Sequence, residues 1–419
     1  MSEWREITLG DFIALQRGHD LPSHDRGDGD VPVMGSFGVT GYHSIPKADG
    51  PGVTVGRSGA SIGTVSFIEE DYWPLNTCMY VTDFKGNYPR FVFHFLSTLN
   101  LARFNSGSAQ PSLNRNYIYP IEIRVPAFRE QREIAAILGA LDDKIELNRK
   151  TAATLEEMAR ALYRSWFVDF DPVWAKLEGR APAHMDAATA ALFPDRFGDE
   201  GLPEGWVLTR TEDLSAKIAM GPFGSNIKVS TFVEKGVPII SGHHLHGTMM
   251  KHGDHKFIME DHADRLKNSN VFEGDIVFTH AGTIGQVAMI GTGSGYDRFV
   301  ISQRQFFLRP DKKKVSPFFL LMFFKSARGQ HELLSNASQV GVPSIARPSS
   351  HLKAIEICVP KAEVMRCFDE EVSRYFQKIS LIEQENQTLA TLRDTLLPRL
   401  MSGDLRVGEA REQVEDLVE

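Results

Sequence analysis

Apolar residues recur with a heptad period in two places along this chain. In the first, Ile134, Leu138, Leu141, Ile145, Asn148, Ala152, Leu155, Ala159, Leu162 and Trp166 step by four and three alternately, which keeps one face of a helix on a partner helix. The second seam runs through Phe368, Val372, Tyr375, Ile379, Ile382, Asn386 and Leu389 and, after a slip, Leu396 and Leu400. Each seam carries one Asn midway, which costs stability but disfavours misaligned pairings that strand its amide. The pattern predicts two long helices, over 127–168 and 361–404, whose apolar faces need burial. At 1.5 Å per residue, a helix from about Arg129 to Phe167 spans on the order of 55 Å.

The stretches ahead of the helices, 1–126 and 206–360, have a shorter period. Gly52-Val-Thr-Val55, Thr64-Val-Ser-Phe-Ile68, Gly274-Asp-Ile-Val-Phe278 and Gln303-Arg-Gln-Phe-Phe-Leu308 are β-branched or aromatic runs bounded by turn formers, and predict strands. Arg90 to Leu99 and Pro317 to Lys325 predict one apolar helix in each stretch. Segment 169–205 reads as an acidic linker and 405–419 as a charged tail.

The two halves are copies. Gly107-Ser-Ala-Gln-Pro-Ser-Leu113 runs on to Ile121-Glu-Ile-Arg-Val-Pro126, and Ala337-Ser-Gln-Val-Gly-Val-Pro-Ser-Ile345 to Ile355-Glu-Ile-Cys-Val-Pro360. Trp4 pairs with Trp206 at an offset of 202, Gly63 with Gly285 at 222 and Pro126 with Pro360 at 234, whereas Thr151, Ala153 and Leu155 match Thr388, Ala390 and Leu392 at 237. The offset therefore grows inside the globular modules and barely moves in the helices. Such self-similarity decides the architecture before any local reading does: a common helical frame presents two diverged modules.

Composition adds bounds. A chain of 419 residues, 42% hydrophobic, can build two or three cores. Cys78, Cys358 and Cys367 form no Cys-x-x-Cys pair and no disulfide frame. No leader-like N-terminus and no apolar run of about 18 residues is present, so a cytoplasmic protein without membrane contact is expected. The net charge of −8 is unevenly spread. Residues 206–358 hold 18 Lys and Arg against 13 Asp and Glu, while 168–205 hold 3 against 8 and 359–419 hold 8 against 13. Binding follows local potential, so the total does not exclude DNA.

Enzyme motifs are missing. There is no Asn/Asp-Pro-Pro-aromatic methylation site and no Gly-x-x-x-x-Gly-Lys-Ser/Thr phosphate loop, and Gly35-Ser-Phe-Gly-Val-Thr-Gly41 lacks a strand-loop-helix setting. His243, His244, His246, His252, His255 and His262 crowd 20 residues, but without His-Glu-x-x-His or cysteine spacing. They read as surface or DNA-facing imidazoles, and no cofactor, metal or catalytic residue is expected.

The order of several motifs resembles the specificity subunits of type I restriction-modification systems. These are the two-fold repeat, Ser165-Trp-Phe-Val-Asp-Phe-Asp-Pro172, Leu202-Pro-Glu-Gly-Trp206, Gly221-Pro-Phe-Gly-Ser225 and Leu397-Pro-Arg-Leu-Met-Ser-Gly-Asp404. The resemblance implies an α+β fold: two mixed target recognition domains joined by two long helices in an antiparallel coiled coil. It implies a noncatalytic subunit reading a bipartite double-stranded DNA site and holding two methyltransferase subunits and restriction/translocase subunits. The first module lacks a Gly-Pro-Phe-Gly-Ser sequence, so its first recognition loop does not carry over from the second.

Base readout needs Arg, Asn, Gln, Ser or Thr on exposed turns. The candidates are Arg57, Ser58, Gln110, Asn114, Arg115 and Asn116 in the first module, and Ser225, Lys228, His243, His244, Thr283, Arg304 and Ser344 in the second. Pro111-Ser-Leu113 and Pro343-Ser-Ile345 occur in both modules and so suit a scaffold or a phosphate better than a base. Subunit contacts are assigned to Leu138, Leu141, Ile145, Asn148, Leu155, Ile379, Ile382, Asn386 and Leu389. The competing expectation is a two-domain scaffold that binds only proteins.

Overall fold

The computed structural model describes residues 4–107, 111–199, 201–223, 226–293, 295–338 and 340–418. The chain divides into two compact units, one of Met1–Asn148 with Gln384–Glu419 and one of Arg149–Glu383. The long helices, Phe128–Phe167 and Ala362–Ser402, each contribute to both.

The first unit opens and closes on one pair of strands. Arg5–Thr8 lies antiparallel to Glu122–Val125, with Arg5 opposite Val125. Between them, Ala14–Arg17, Cys78–Asp83, Gly52–Gly56 and Val65–Ile68 form an antiparallel sheet in that spatial order. A second sheet holds Gly38–His43, Val31–Gly35 and Trp73–Pro74, with Val33 parallel to Trp73. Helix Pro89–Thr98 buries Phe91, Phe95 and Leu96. They share one core with Phe12, Leu113 and Val125, with Ile134, Leu138, Leu141 and Ile145 of the first long helix, and with Leu389, Leu396 and Leu400 of the second.

Within this unit the long helices run antiparallel: Asp142 meets Arg393 at 2.9 Å, and six residues on, Asn148 Nδ2 donates to Asn386 Oδ1 at 3.0 Å. The two seam asparagines therefore face each other. Asn148 is 5% exposed, and its amide also donates to Glu385 at 2.8 Å.

The second unit repeats the plan. Val207–Arg210 pairs antiparallel with Glu356–Val359. The main sheet runs Ser215–Met220, Gln305–Pro310, Ile276–Thr279, Val287–Met289, and Ile239 lies parallel to Val300 in the smaller sheet, as Val33 does to Trp73. Its core is rich in aromatic rings: Phe167 packs on Phe319 and Phe368, each at 5.0 Å between centroids, and Trp166 on Phe193 at 5.0 Å.

Three details differ from the sequence reading. The acidic segment 169–205 carries structure of its own: it forms helices Asp171–Leu177 and Ala187–Leu192 and buries Val173 and Phe193, because its apolar residues, Phe170, Leu192, Phe197 and Leu202 among them, pack on the aromatic core. The tail folds into helix Val407–Val418 with Ala410 fully buried. In the seams, Phe376 and Tyr163 are buried where Tyr375 and Leu162 were expected. Tyr375 is half-buried against the same core, with its hydroxyl donating to Glu371 at 2.8 Å, while Phe376 stacks on Phe318 at 5.2 Å.

Each module is clamped to a long helix by polar contacts. In the first unit, Gln131 is fully buried and bonds Asn87, Pro126 and Tyr88. Arg90 pairs with Asp143 and donates to the Gly139 carbonyl at 3.1 Å. In the second unit, Ser316 caps helix Pro317–Lys325 and bonds Asp369.

Candidate nucleic-acid interface

The turns at one end of each main sheet are held by matching backbone bonds. In the first module, Arg57 N–H donates to Thr77 O at 2.9 Å, Gly59 to Pro111 at 3.2 Å, Leu113 to Arg57 at 2.8 Å, Leu75 to Met34 at 2.8 Å and Gly18 to Cys78 at 3.0 Å. In the second, His280 donates to Arg304 at 2.9 Å, Gly282 to Pro343 at 2.9 Å, Ile345 to His280 at 2.9 Å, Ser302 to Ile240 at 3.0 Å and Gly221 to Gln305 at 2.8 Å. The bonds correspond one to one. They equate Arg57 with His280, Thr77 with Arg304, Leu113 with Ile345 and Gly18 with Gly221. Counting on from Met34 and Ile240 brings Phe37 level with His243.

The glycines explain why the turns are alike. Gly59 and Gly282 sit at φ +79 and +88, and Gly63 and Gly285 at +82 and +84, a region that L side chains rarely adopt. Gly221 opens the Gly-Pro-Phe-Gly-Ser run, and the first module does have its counterpart in Gly18. A Cβ on either would fall on a backbone carbonyl, that of Leu75 or of Ser302.

In the second module these turns border a cleft of about 540 Å³ lined by His243, His246, Thr283, Gln286, Gln303 and Arg304, among others. His243, Thr283 and Arg304 were expected from sequence, and the fold brings them together. Gln286, Gln303 and His246 were not among the expected readers. Gln286 accepts from Thr279 at 3.1 Å and lies 3.3 Å from His246 Nδ1. Their signal was the paired repeat, since Gln286 and Gln303 occupy the places of Thr64 and Asn76, but matching them required the backbone bonds.

His244 leaves the reading set. It is 2% exposed, its Nδ1 accepts from Ser241 N–H at 2.9 Å and its Nε2 lies 3.0 Å from the Gly253 carbonyl. Burial, then the neighbouring His255, pushes its pKa down to about 4, so the ring is neutral and Nε2–H donates. It holds the loop. His255 bonds the Ile239 carbonyl and His262 that of Asn226, and among the described residues no group of three or more His, Cys, Asp or Glu is placed to hold a metal ion.

The other expected residues are scattered. Lys228 is exposed at the turn Val229–Thr231 and Ser344 lies in a short strand pair with Ser338; neither lines the cleft. In the first module, Arg57 reaches the Asn76 carbonyl at 3.4 Å, as His280 reaches that of Gln303 at 3.1 Å, so both side chains brace the same turn. Ser58 bridges Ser112 through its backbone. Asn114 caps helix Arg115–Ile118 by accepting from Asn116 N–H at 3.0 Å, Arg115 spends one N–H on the Leu15 carbonyl at 2.6 Å, and Asn116 is exposed. Gln110 and Ser225 lie outside the described residues.

Much positive charge in the second module is already paired: Arg309 with the buried Asp275, and Arg298 with Glu260 and Asp264. Burial raises the pKa of Asp275 despite Arg309 beside it. Arg304 differs: it is exposed and has no ion pair or side-chain hydrogen bond among the described residues.

Comparison with known proteins accounts for this duplicated arrangement. Residues 1–157 and 203–393 match the type I restriction modification DNA specificity domain. The chain belongs to that family. Its two specificity domains are the two modules, each matched together with part of the chain that follows it. It is 24% identical to the HindI specificity subunit of Haemophilus influenzae, over 97% of this chain and the whole of that one. It is also 24% identical to the MjaIX specificity subunit of Methanocaldococcus jannaschii, over 77% of this chain and 71% of the relative. The crystal structure of a type I S subunit from M. genitalium shares the fold, with a TM-score of 0.57 at 14% identity and 96% of each chain covered. No helix among the described residues is long and apolar enough to cross a membrane.

Proposed function

We propose that this chain is the noncatalytic DNA-reading subunit of a type I restriction-modification assembly, each module reading one half of a bipartite duplex site. The observation that carries this is the duplicated hydrogen-bond frame: two modules of one family hold their turns alike yet offer different exposed side chains. The paired long helices serve as the scaffold for methyltransferase subunits, and restriction/translocase subunits join that assembly.

The test is selection from a randomised duplex pool by the full chain assembled with its methyltransferase subunit. Two fixed blocks separated by an unspecified gap are expected, and replacing residues 206–358 by the module of a relative should rewrite one block only. Inserting residues after Phe167 should change the gap and spare the bases. Recovery of no motif, or a module exchange that rewrites both blocks, defeats the reading. The chain alone should transfer no labelled methyl group to DNA.

A further inference from the structure

We propose that Arg304 in the second module and Thr77 in the first occupy one common reading position, and that Arg304 fixes a guanine in the half-site of the second module. This rests on the reading of the chain as a DNA specificity subunit.

The two residues are equivalent by their backbones. Thr77 accepts from Arg57 and Arg304 from His280, each at 2.9 Å. The next residues, Cys78 and Gln305, accept from Gly18 and Gly221, whose close approach to the Leu75 and Ser302 carbonyls leaves no room for a Cβ. Three residues past Met34 and Ile240, the same frame presents Phe37 and His243, both exposed. Residues that brace the frame keep their job in both copies. Arg57 and His280 differ in type, yet both bond the carbonyl one residue before the reading position. The residues at the reading position have no such shared task and differ outright.

The surroundings of Arg304 suit a base edge. Its Nη1 runs beside the Gly282 turn, 3.5 Å from where a Cβ would stand, an ordinary contact distance. Thr283, Gln303 and His243 line the same cleft, and no acidic residue is among the described residues that line it. An unpaired guanidinium lining a cleft beside polar side chains can present two parallel N–H groups, which match guanine O6 and N7. A phosphate contact would need only the charge and would carry no sequence. Thr77 offers a hydroxyl and a methyl instead, which accept a different base.

The experiment is the same pool selection with the full chain and its methyltransferase subunit, using Arg304→Ala, Arg304→Lys and Thr77→Ala. Both Arg304 variants should lose preference at one guanine of one half-site, by about tenfold or more, with the other half-site intact, because Lys keeps the charge but not the planar fork. T77A should alter only the other half-site. An unchanged motif in R304K, whether R304A binds weakly or not at all, shows that charge alone suffices and overturns the proposal. A wild-type assembly that recovers no motif defeats the function itself, so the two failures are distinguishable.

Discussion

Substituting Gln131 should damage the first unit far more than the loss of one surface amide would. The side chain is fully buried. Its Oε1 accepts from Tyr88 N–H at 3.0 Å, and its Nε2 donates to Asn87 Oδ1 at 2.8 Å and to the Pro126 carbonyl at 3.0 Å. Asn87 cannot turn its amide round to compensate, because its own Nδ2 donates to Phe12 O at 2.8 Å and Phe84 O at 3.0 Å. Gln131→Ala therefore strands one donor and two acceptors in the interior. At roughly 1–3 kcal/mol per stranded group, less some relaxation, the cost should be about 3–5 kcal/mol. Gln131→Glu keeps the volume but sets a carboxylate against two carbonyl oxygens, so the side chain should take up a proton on folding. Its folded pKa is then raised above the unfolded value of about 4.3, and its stability should be present below that value and fall as pH rises. Urea unfolding of the full chain, with hydrogen exchange read at Pro89–Thr98, gives both numbers. A loss under about 0.5 kcal/mol in Q131A, or a Q131E protein as stable relative to wild type at pH 8 as at pH 4, would refute the reasoning.

Other substitutions test separate contacts. Asn148→Ala leaves Asn386 without its amide partner and should cost about 1 kcal/mol, with N148A and N386A together costing less than their sum in a double-mutant cycle. His94 has a pKa pushed down to about 3, first by burial and then by Arg90 and Arg393. With the folded value below the unfolded one, stability is fully present above about pH 6.5 and is lost as pH falls towards 3, by about 1.4 kcal/mol per pH unit. His94→Phe should flatten that slope in acid titrations followed by circular dichroism. Gly221→Ala forces a methyl onto the Ser302 carbonyl and should cost roughly 1–3 kcal/mol, read as faster hydrogen exchange along Gln305–Pro310.

The helices and their pairing were legible because burial on a long helix leaves a period of 3.5 that few other constraints disturb. Asn148 and Asn386 announced themselves as polar breaks in apolar seams, and the fold sets them against each other. Tyr375 joins the expected face but stays half-buried, because its hydroxyl bonds Glu371 while the neighbouring Phe376 takes the buried place. The linker's acids drew attention away from its apolar residues: Val173 and Phe193 are buried and Phe170, Leu192 and Phe197 pack beside them, but without a heptad or strand period only the aromatic core they meet makes them structural. In the candidate site, His243, Thr283 and Arg304 were legible as polar turn residues, whereas His244 looked the same in sequence and is a buried brace. Gly18 was unreadable for a physical reason. Its role is the absence of a Cβ opposite one carbonyl, and nothing in the flanking Arg17 and His19 resembles the Pro-Phe-Gly run beyond Gly221.

The joints between module and helix explain how the copies could diverge inside while the helices stayed constant. Each module leaves and rejoins the rest of the chain through adjacent antiparallel strands, with Arg5 opposite Val125 and Val207 opposite Val359. The residues between these pairs can lengthen or shorten without moving the point where Pro126 or Pro360 starts a helix, because the strand pair fixes that point. This is why the offset between copies grows within the modules and holds at 237 from Thr151 to Leu155. The helix faces have far less freedom: one inserted residue rotates every following seam position by about 100°, and between Pro126 and Thr151 the offset moves by only three residues, from 234 to 237, close to one turn. Selection on the sequence read can therefore act on the turns, while the seams that hold both cores must be kept.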